Sequence, residues 1–172
     1  KKNKGFLFWT WVCLMIQVSL SQASQPEENT SLIPAGTFFM GTEEGTEIER
    51  PIYKVYLKKY KISRFEVSNL EFEKFRPGHK RSASSFCDLC PVTMVNWFDA
   101  SLYCKNQGGR LPIEAEWEKA GRGPSGHPYS FGVNPDQSKG NYGRAFQAGA
   151  KTVKSFQPNE FGLYNMSGNV WE

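Results

Sequence analysis

The sequence predicts a mixed α+β domain of short strands, short helices and long loops. Three observations carry this. Sixteen Gly and ten Pro among 172 residues interrupt every periodic stretch. Hydrophobic residues at 39% and aromatics at 15% still supply a core. Two-residue and helical hydrophobic periods both occur, each over short spans. The length suits about one domain at roughly 100–200 residues each.

The first 23 residues read as an address. Lys1-Lys2-Asn3-Lys4 is a basic start, Gly5–Leu20 is an apolar run, and Ser21-Gln22-Ala23 offers small residues for cleavage. That succession predicts a secretory signal peptide cut after Ala23, the run being short for the ~20 residues that span a bilayer. The expected product is exported, secreted or periplasmic, with no stable membrane anchor. Residues 24–31 follow as a polar leader, and the domain proper is expected over 32–172. Without residues 1–23 the chain carries 18 basic and 17 acidic side chains, a net +1. Phosphate binding needs a dense basic face, so a nucleic-acid partner is excluded.

Leu32–Gly41 reads as a strand around a Pro-Ala-Gly turn, and Thr42–Arg50, with Glu43, Glu44, Glu47 and Glu49, as a solvated acidic loop. Tyr53, Val55 and Leu57 alternating with Lys54, Tyr56 and Lys58 predict a strand within 52–62 with one wet face. Ser68-Asn69-Leu70-Glu71 is a capping box that starts a helix with Phe72 and Phe75 on one face, closed by Gly78. Pro91–Trp97 is a strand candidate. Asp99 is the expected N-cap of a helix carrying Ala100, Tyr103 and Cys104 and ended by Gly108-Gly109. Pro112 is expected at the first position of the next helix, which Gly121 stops. Beyond Gly123 the chain reads as loop, with Lys151–Phe156 the only strand expected; loops this long in a compact domain usually bind something.

Three cysteines follow residue 23. Cys87 and Cys90 have zinc-knuckle spacing, and His79 with Cys104 could complete four ligands, yet the second tight pair of a zinc site is missing. A redox dithiol is disfavoured because no helix starts between the two cysteines to depress a thiol pKa. A structural disulfide is the better reading, and a Cys90–Cys104 bridge is one alternative. His79 and His127 have no partner Ser or Cys in a hydrolase setting, and Glu114, Glu116 and Glu118 do not share a helix face as an acid/base pair would. The residues alone name no catalyst.

Read together, the words are specific. They are Pro34–Gly41 (PAGTFFMG), Glu66-Val67-Ser68-Asn69, Pro91-Val92 through Val95–Ala100 (VNWFDA), Tyr103-Cys104, Gly109–Glu118 (GRLPIEAEWE), Pro158–Met166 (PNEFGLYNM) and Ser167–Glu172 (SGNVWE). In this order and spacing they resemble the sulfatase-modifying factor family, in particular a formylglycine-generating enzyme domain, from about Ile33 to the last residue. The resemblance implies a C-type-lectin-like fold, poor in regular structure and stiffened by calcium.

The implied activity is oxidation of a sulfatase cysteine, or that of another protein substrate, to Cα-formylglycine with O2 and copper(I). Two thiolates would hold that ion, thiolate being the soft ligand copper(I) selects. In the family those thiolates follow an RGGSW-type motif that this sequence does not reach. The sequence therefore reads as a domain incomplete at its C-terminus, with no catalytic residue to name and inactive alone. Cys104 is expected to pair with a cysteine beyond it.

For calcium the resemblance implies a side-chain carbonyl from Asn165, backbone carbonyls from Gly168 and Val170, and the Glu172 carboxylate, oxygen donors that suit a hard cation. A second calcium site at Asn141 and the Tyr142 carbonyl lacks the aspartate expected further on. Two other classes remain: a non-catalytic lectin-like binding module, and a domain of a non-haem-iron sulfoxide synthase-type enzyme, although no histidine-rich segment precedes Ile33.

Overall fold

In a computed structural model, the structure describes residues 29–143 and 149–172. The expected signal peptide and most of the leader lie outside them. Four strands form two separate antiparallel pairs: β1 (Thr30–Ile33) with β4 (Tyr60–Ser63), and β2 (Gly36–Met40) with β3 (Tyr53–Leu57). Three helices follow: α1 (Asn69–Phe75), α2 (Trp97–Asn106) and α3 (Glu114–Arg122). The α+β class with little regular structure holds. Among the described residues no helix is long and apolar enough to cross a membrane.

The two sheets come from one continuous stretch because Pro34 and Ala35 break it. Ile33 pairs with Tyr60 at the end of one ladder, and Gly36 with Leu57 at the start of the other. The single strand read within 52–62 is thus two strands in two sheets, split at Lys58-Lys59. Thr30 and Ser31, placed in the leader from sequence, belong to β1, where Ser31 Oγ donates to the Phe161 carbonyl. The acidic stretch is a loop as expected, with one 3₁₀ turn over Glu47–Glu49.

α3 organises the core. Ala120 is fully buried and packs with Ile33 and Leu163, flanked by Tyr60, Ile62, Phe161 and Met166. The helix is pinned to the sheets by polar contacts at its other positions. Lys119 Nζ donates to the Pro34 and Gly36 carbonyls at 2.8 and 3.0 Å, so a buried ammonium satisfies the turn that splits β1 from β2. Glu118 accepts from the Gly41 N–H and from Arg122, which itself donates to the Gly41 carbonyl. Glu116 takes a bidentate pair from Arg110 and reaches back to the Ile113 N–H, half of a capping box.

Several boundaries differ from the sequence reading. Ile113, not Pro112, is the residue before α3, and the helix runs through Gly121 to Arg122, ending at Gly123 with φ 71°. Gly121 stays helical because Met166 covers it and Asn159 Nδ2 binds the carbonyls of Ala120 and Gly121. α2 starts one turn earlier than expected: Asn96 is its N-cap and accepts from the Asp99 N–H, while Asp99 is bonded to Arg76. Pro91–Trp97 makes only one bridge, Ser68 with Pro91, and Lys151–Phe156 is a run of turns, so neither is a strand. Met94 sits at φ 61°, which breaks an extended run. α1 follows the reading closely. Ser68 and Glu71 form both halves of the capping box, and Phe72 is buried against Phe75, His79 and Tyr103.

Cys87 and Cys90 are joined by a disulfide. That removes the zinc-knuckle reading and the Cys90–Cys104 bridge together, since neither sulfur is free as a thiolate ligand. Cys104 is a free, half-buried thiol whose pKa is raised by burial.

Candidate metal centre

The loops after α3 converge on one carboxylate. Glu66 stands on the connection between β4 and α1, and it is largely surrounded by protein. Its Oε2 accepts from Asn165 Nδ2 at 2.6 Å and from Asn169 Nδ2 at 3.1 Å, and its Oε1 accepts from Asn169 at 2.9 Å. Burial pushes the Glu66 pKa up to about 7; the two amides pull against that, and the Glu172 charge adds to it.

The asparagines then spread outward. Asn169 Nδ2 also donates to the Lys151 carbonyl, while its Oδ1 accepts from the Lys151 N–H and from Asn141 Nδ2. Asn165 Nδ2 donates in addition to the Thr152 carbonyl at 3.3 Å. The turns at 150–153 are held by these side chains and by single backbone bonds from Ala150 to Ser84 and from Val153 to Leu89 instead of a ladder, and so are not a strand. Asn165 and Asn169 both adopt left-handed backbone, φ 57° and 71°, which asparagine tolerates better than other side-chain-bearing residues. Gly168 lies between them at φ 109°, and a Cβ there would stand 2.7 Å from the Asn141 carbonyl oxygen. Only glycine fits.

Of the four residues expected to hold calcium, the structure brings Asn165 and Glu172 toward Glu66 and puts Gly168 and Val170 in the loop joining them. Asn165 Oδ1 is buried with no hydrogen-bond partner, a costly state for an amide oxygen. The Gly168 carbonyl accepts from the Val170 N–H and has a second lone pair. Glu172 is exposed as a residue, but its carboxyl is tucked against the indole of Trp117, whose Nε1 donates to Oε2 at 2.5 Å. Loss of water raises the Glu172 pKa, partly offset by that bond. An orphan amide oxygen, a curled glycine loop and a carboxylate held by Trp117 fit a hard cation taking oxygen ligands. No group of three or more His, Cys, Asp or Glu gathers among the described residues, so amide and carbonyl oxygens would make up the set.

The second expected site looks different. Asn141 Nδ2 donates to Gly149 and Asn169, and its carbonyl accepts from the Asn169 N–H, so this residue braces the first cluster. Tyr142 stacks in parallel with Tyr129 and Phe131. Glu66, Asn169, Thr152 and Trp117 had no site role in the sequence reading. An acidic residue between Phe65 and Val67 was the available signal for the first of them.

A copper(I) ion held by two thiolates does not fit the described residues. Cys87 and Cys90 are oxidised to a disulfide, and Cys104 is the one free thiol among them.

A profile of the sulfatase-modifying factor enzyme 1-like domain matches residues 17–172. The chain belongs to this family. The match begins inside the segment read as a signal peptide. A serine/threonine-protein kinase pkn1 of Chlamydia pneumoniae is 32% identical over 167 residues, covering 82% of this chain and 26% of the relative. A formylglycine-generating enzyme of Bos taurus is 30% identical over 207 residues, covering 81% of this chain and 55% of the relative. The chain therefore spans about a quarter and about half of these proteins. The solved structure of PvdO from Pseudomonas aeruginosa superposes with a TM-score of 0.63 at 27% identity, covering 80% of this chain and 66% of that one. The fold of the sulfatase-modifying factor family is thus the fold here.

The half-buried Glu66 gives a pH dependence of definite sign. Its folded pKa lies above the ordinary value of 4.5, so the native state binds more protons than the unfolded state between pH 4.5 and about 7. Without a cation, stability is then lost as pH rises through that window, by roughly 3 kcal/mol at about 1.4 kcal/mol per pKa unit. Melting in chelator should fall from pH 5 to pH 8, and Glu66→Gln should flatten the slope. Identical slopes for the two proteins would contradict the assignment.

Proposed function

We propose that the chain is the calcium-stiffened framework of a formylglycine-generating-type domain, of the kind that in a complete enzyme serves oxidation of a cysteine in a sulfatase or another protein substrate. The observation that carries the framework role is the unpartnered Asn165 Oδ1, buried beside Glu66 in the loop that Gly168 curls. Asn165 Oδ1, the carbonyls of Gly168 and Val170, and the Glu172 carboxylate would hold the ion, which supplies positive charge between carboxylates that otherwise repel. The chain's own residues do the rest. Glu66 orients both asparagine amides, Gly168 lets the loop pass Asn141, and Trp117 positions Glu172. Exported, secreted or periplasmic placement belongs to the same proposal, supported by the basic and apolar succession of residues 1–20 and by a disulfide of the kind oxidising compartments preserve.

No oxidation step is assigned to residues of this chain, because two thiolates are not available among those described. A second reading, a domain serving as a non-catalytic module inside longer proteins, is favoured by one observation: the kinase-named relative matches over only 26% of its length.

Two measurements test the proposal. Calcium should raise the melting temperature of the chain above its value in chelator, and Asn165→Ala should remove most of that difference. Equal melting with and without calcium in the unmodified protein would end the metal assignment. Incubated with a sulfatase-derived cysteine peptide, O2 and copper(I), the chain by itself should yield no formylglycine. Product above a protein-free control would return the catalytic role to the cysteines present here.

A further inference from the structure

The disulfide between Cys87 and Cys90 is built asymmetrically. Cys87 is exposed, whereas Cys90 is 6% exposed with Sγ 3.7 Å from the Ala150 carbonyl oxygen. Thiol–disulfide exchange depends on which sulfur a thiolate can reach, so only Cys87 is open to attack. Phe86 and Leu89, 70% and 56% exposed, flank it as an apolar rim. Beside them Arg81 is bonded to both Glu73 and Asp88, and its guanidinium lies over the Phe86 ring, which holds that side of the rim in place.

The loop does not need its disulfide to keep its place. The Cys90 and Asp88 carbonyls accept the N–H groups of Asn69 and Leu70 in the first turn of α1. Asn69 Nδ2 donates to the Ser85 and Cys87 carbonyls, Val153 N–H to Leu89, and Ala150 N–H to Ser84. A bridge closing so short a loop also removes the least entropy from the unfolded chain, so its structural value is small.

We infer that the Cys87–Cys90 disulfide is a thiol-exchange site, at which Cys87 takes up the thiol of a cysteine in an apolar peptide segment. The incoming thiolate bonds to Cys87 Sγ, the Cys87–Cys90 bond breaks, and the electron pair leaves on Cys90. The proton released by the incoming thiol ends on Cys90, where the neutral S–H donates to the Ala150 carbonyl. One disulfide and one thiol are consumed and one of each is formed, so no other oxidant or reductant is required. Return attack by Cys90 expels the peptide and restores the bridge. The apolar rim favours an apolar peptide segment over a small polar thiol such as glutathione.

The test exposes the oxidised full chain to a peptide with Phe and Leu beside a single cysteine, and in parallel to glutathione at equal thiolate concentration, followed by acid quench, alkylation and peptide mapping. The expected product carries the peptide on Cys87 with Cys90 alkylated, at least about tenfold over the reverse adduct, since access decides the sulfur attacked. The peptide should react faster than glutathione. Adducts on Cys90, or on Cys104 alone, would overturn the site, and equal rates for the two thiols would overturn the apolar-peptide assignment. Variants guard against an adduct too short-lived to trap. In Cys90→Ser, folded by circular dichroism, Cys87 should be labelled by an activated disulfide of the same peptide; in Cys87→Ser, Cys90 should be labelled only after unfolding. Rapid labelling of Cys90 in the folded variant would refute the asymmetry.

Discussion

The half-buried carboxylate of Glu66 is the constraint on which the second half of the molecule depends. Beyond α3 the chain has no helix or strand among the described residues, so its backbone groups cannot satisfy one another through a ladder. Turn and loop-to-loop backbone bonds satisfy some of them, such as Val153 N–H to the Leu89 carbonyl and Tyr164 N–H to the Arg64 carbonyl, and side-chain amides satisfy others; the two central amides, on Asn165 and Asn169, are both aimed by Glu66. A carboxylate accepting several N–H bonds in low dielectric holds its partners in direction as well as distance. Removing it from water is unfavourable on its own, so its raised pKa stands beside a second unsatisfied group, the orphan Asn165 oxygen.

The same device recurs nearer the core. Asn159 closes the C-terminal end of α3 by donating to Ala120 and Gly121 while accepting from the N–H groups of Phe161 and Leu163. Lys119 plugs the turn between β1 and β2 with no carboxylate partner among the described residues, and burial lowers its pKa accordingly. A fold with two short sheets and three short helices thus relies on a few buried polar side chains that each serve several backbone groups. The apolar core of Ile33, Ala120 and Leu163 is small, and the polar plugs fix how the loops pass over it.

What could be read from the sequence follows from this division. α1 was legible because its capping box and its Phe72–Phe75 face are local signals, and the extended stretches at 32–41 and 53–57 because the Pro34-Ala35 turn and the alternation are local too, whereas the split at Lys58-Lys59 and the pairing into two sheets are set by distant contacts. Asn96 competed with Asp99 as N-cap and prevailed because the chain enters α2 one turn earlier than the apolar stripe suggested. The turns at 151–156 looked like a strand since Thr152, Val153 and Phe156 have the right composition, while their bonds to Asn165, Asn169 and Leu89 come from distant loops. Glu66 sat in a quoted motif without a role: its partners are 99 and 103 residues away, and spacing gives no sign of such a contact. The calcium residues came from resemblance, and the geometry adds Glu66, Asn169 and Trp117 around them.

The central claim, that Glu66 and the asparagine loops act as one unit, is tested most directly by a double-mutant cycle. Glu66→Met, Asn169→Ala and the double variant would be unfolded in urea with chelator at one pH. A shared network predicts a coupling of at least about 1 kcal/mol, because the second substitution removes a contact already lost in the first. Additivity to within about 0.5 kcal/mol, the behaviour of independent sites, would contradict the account.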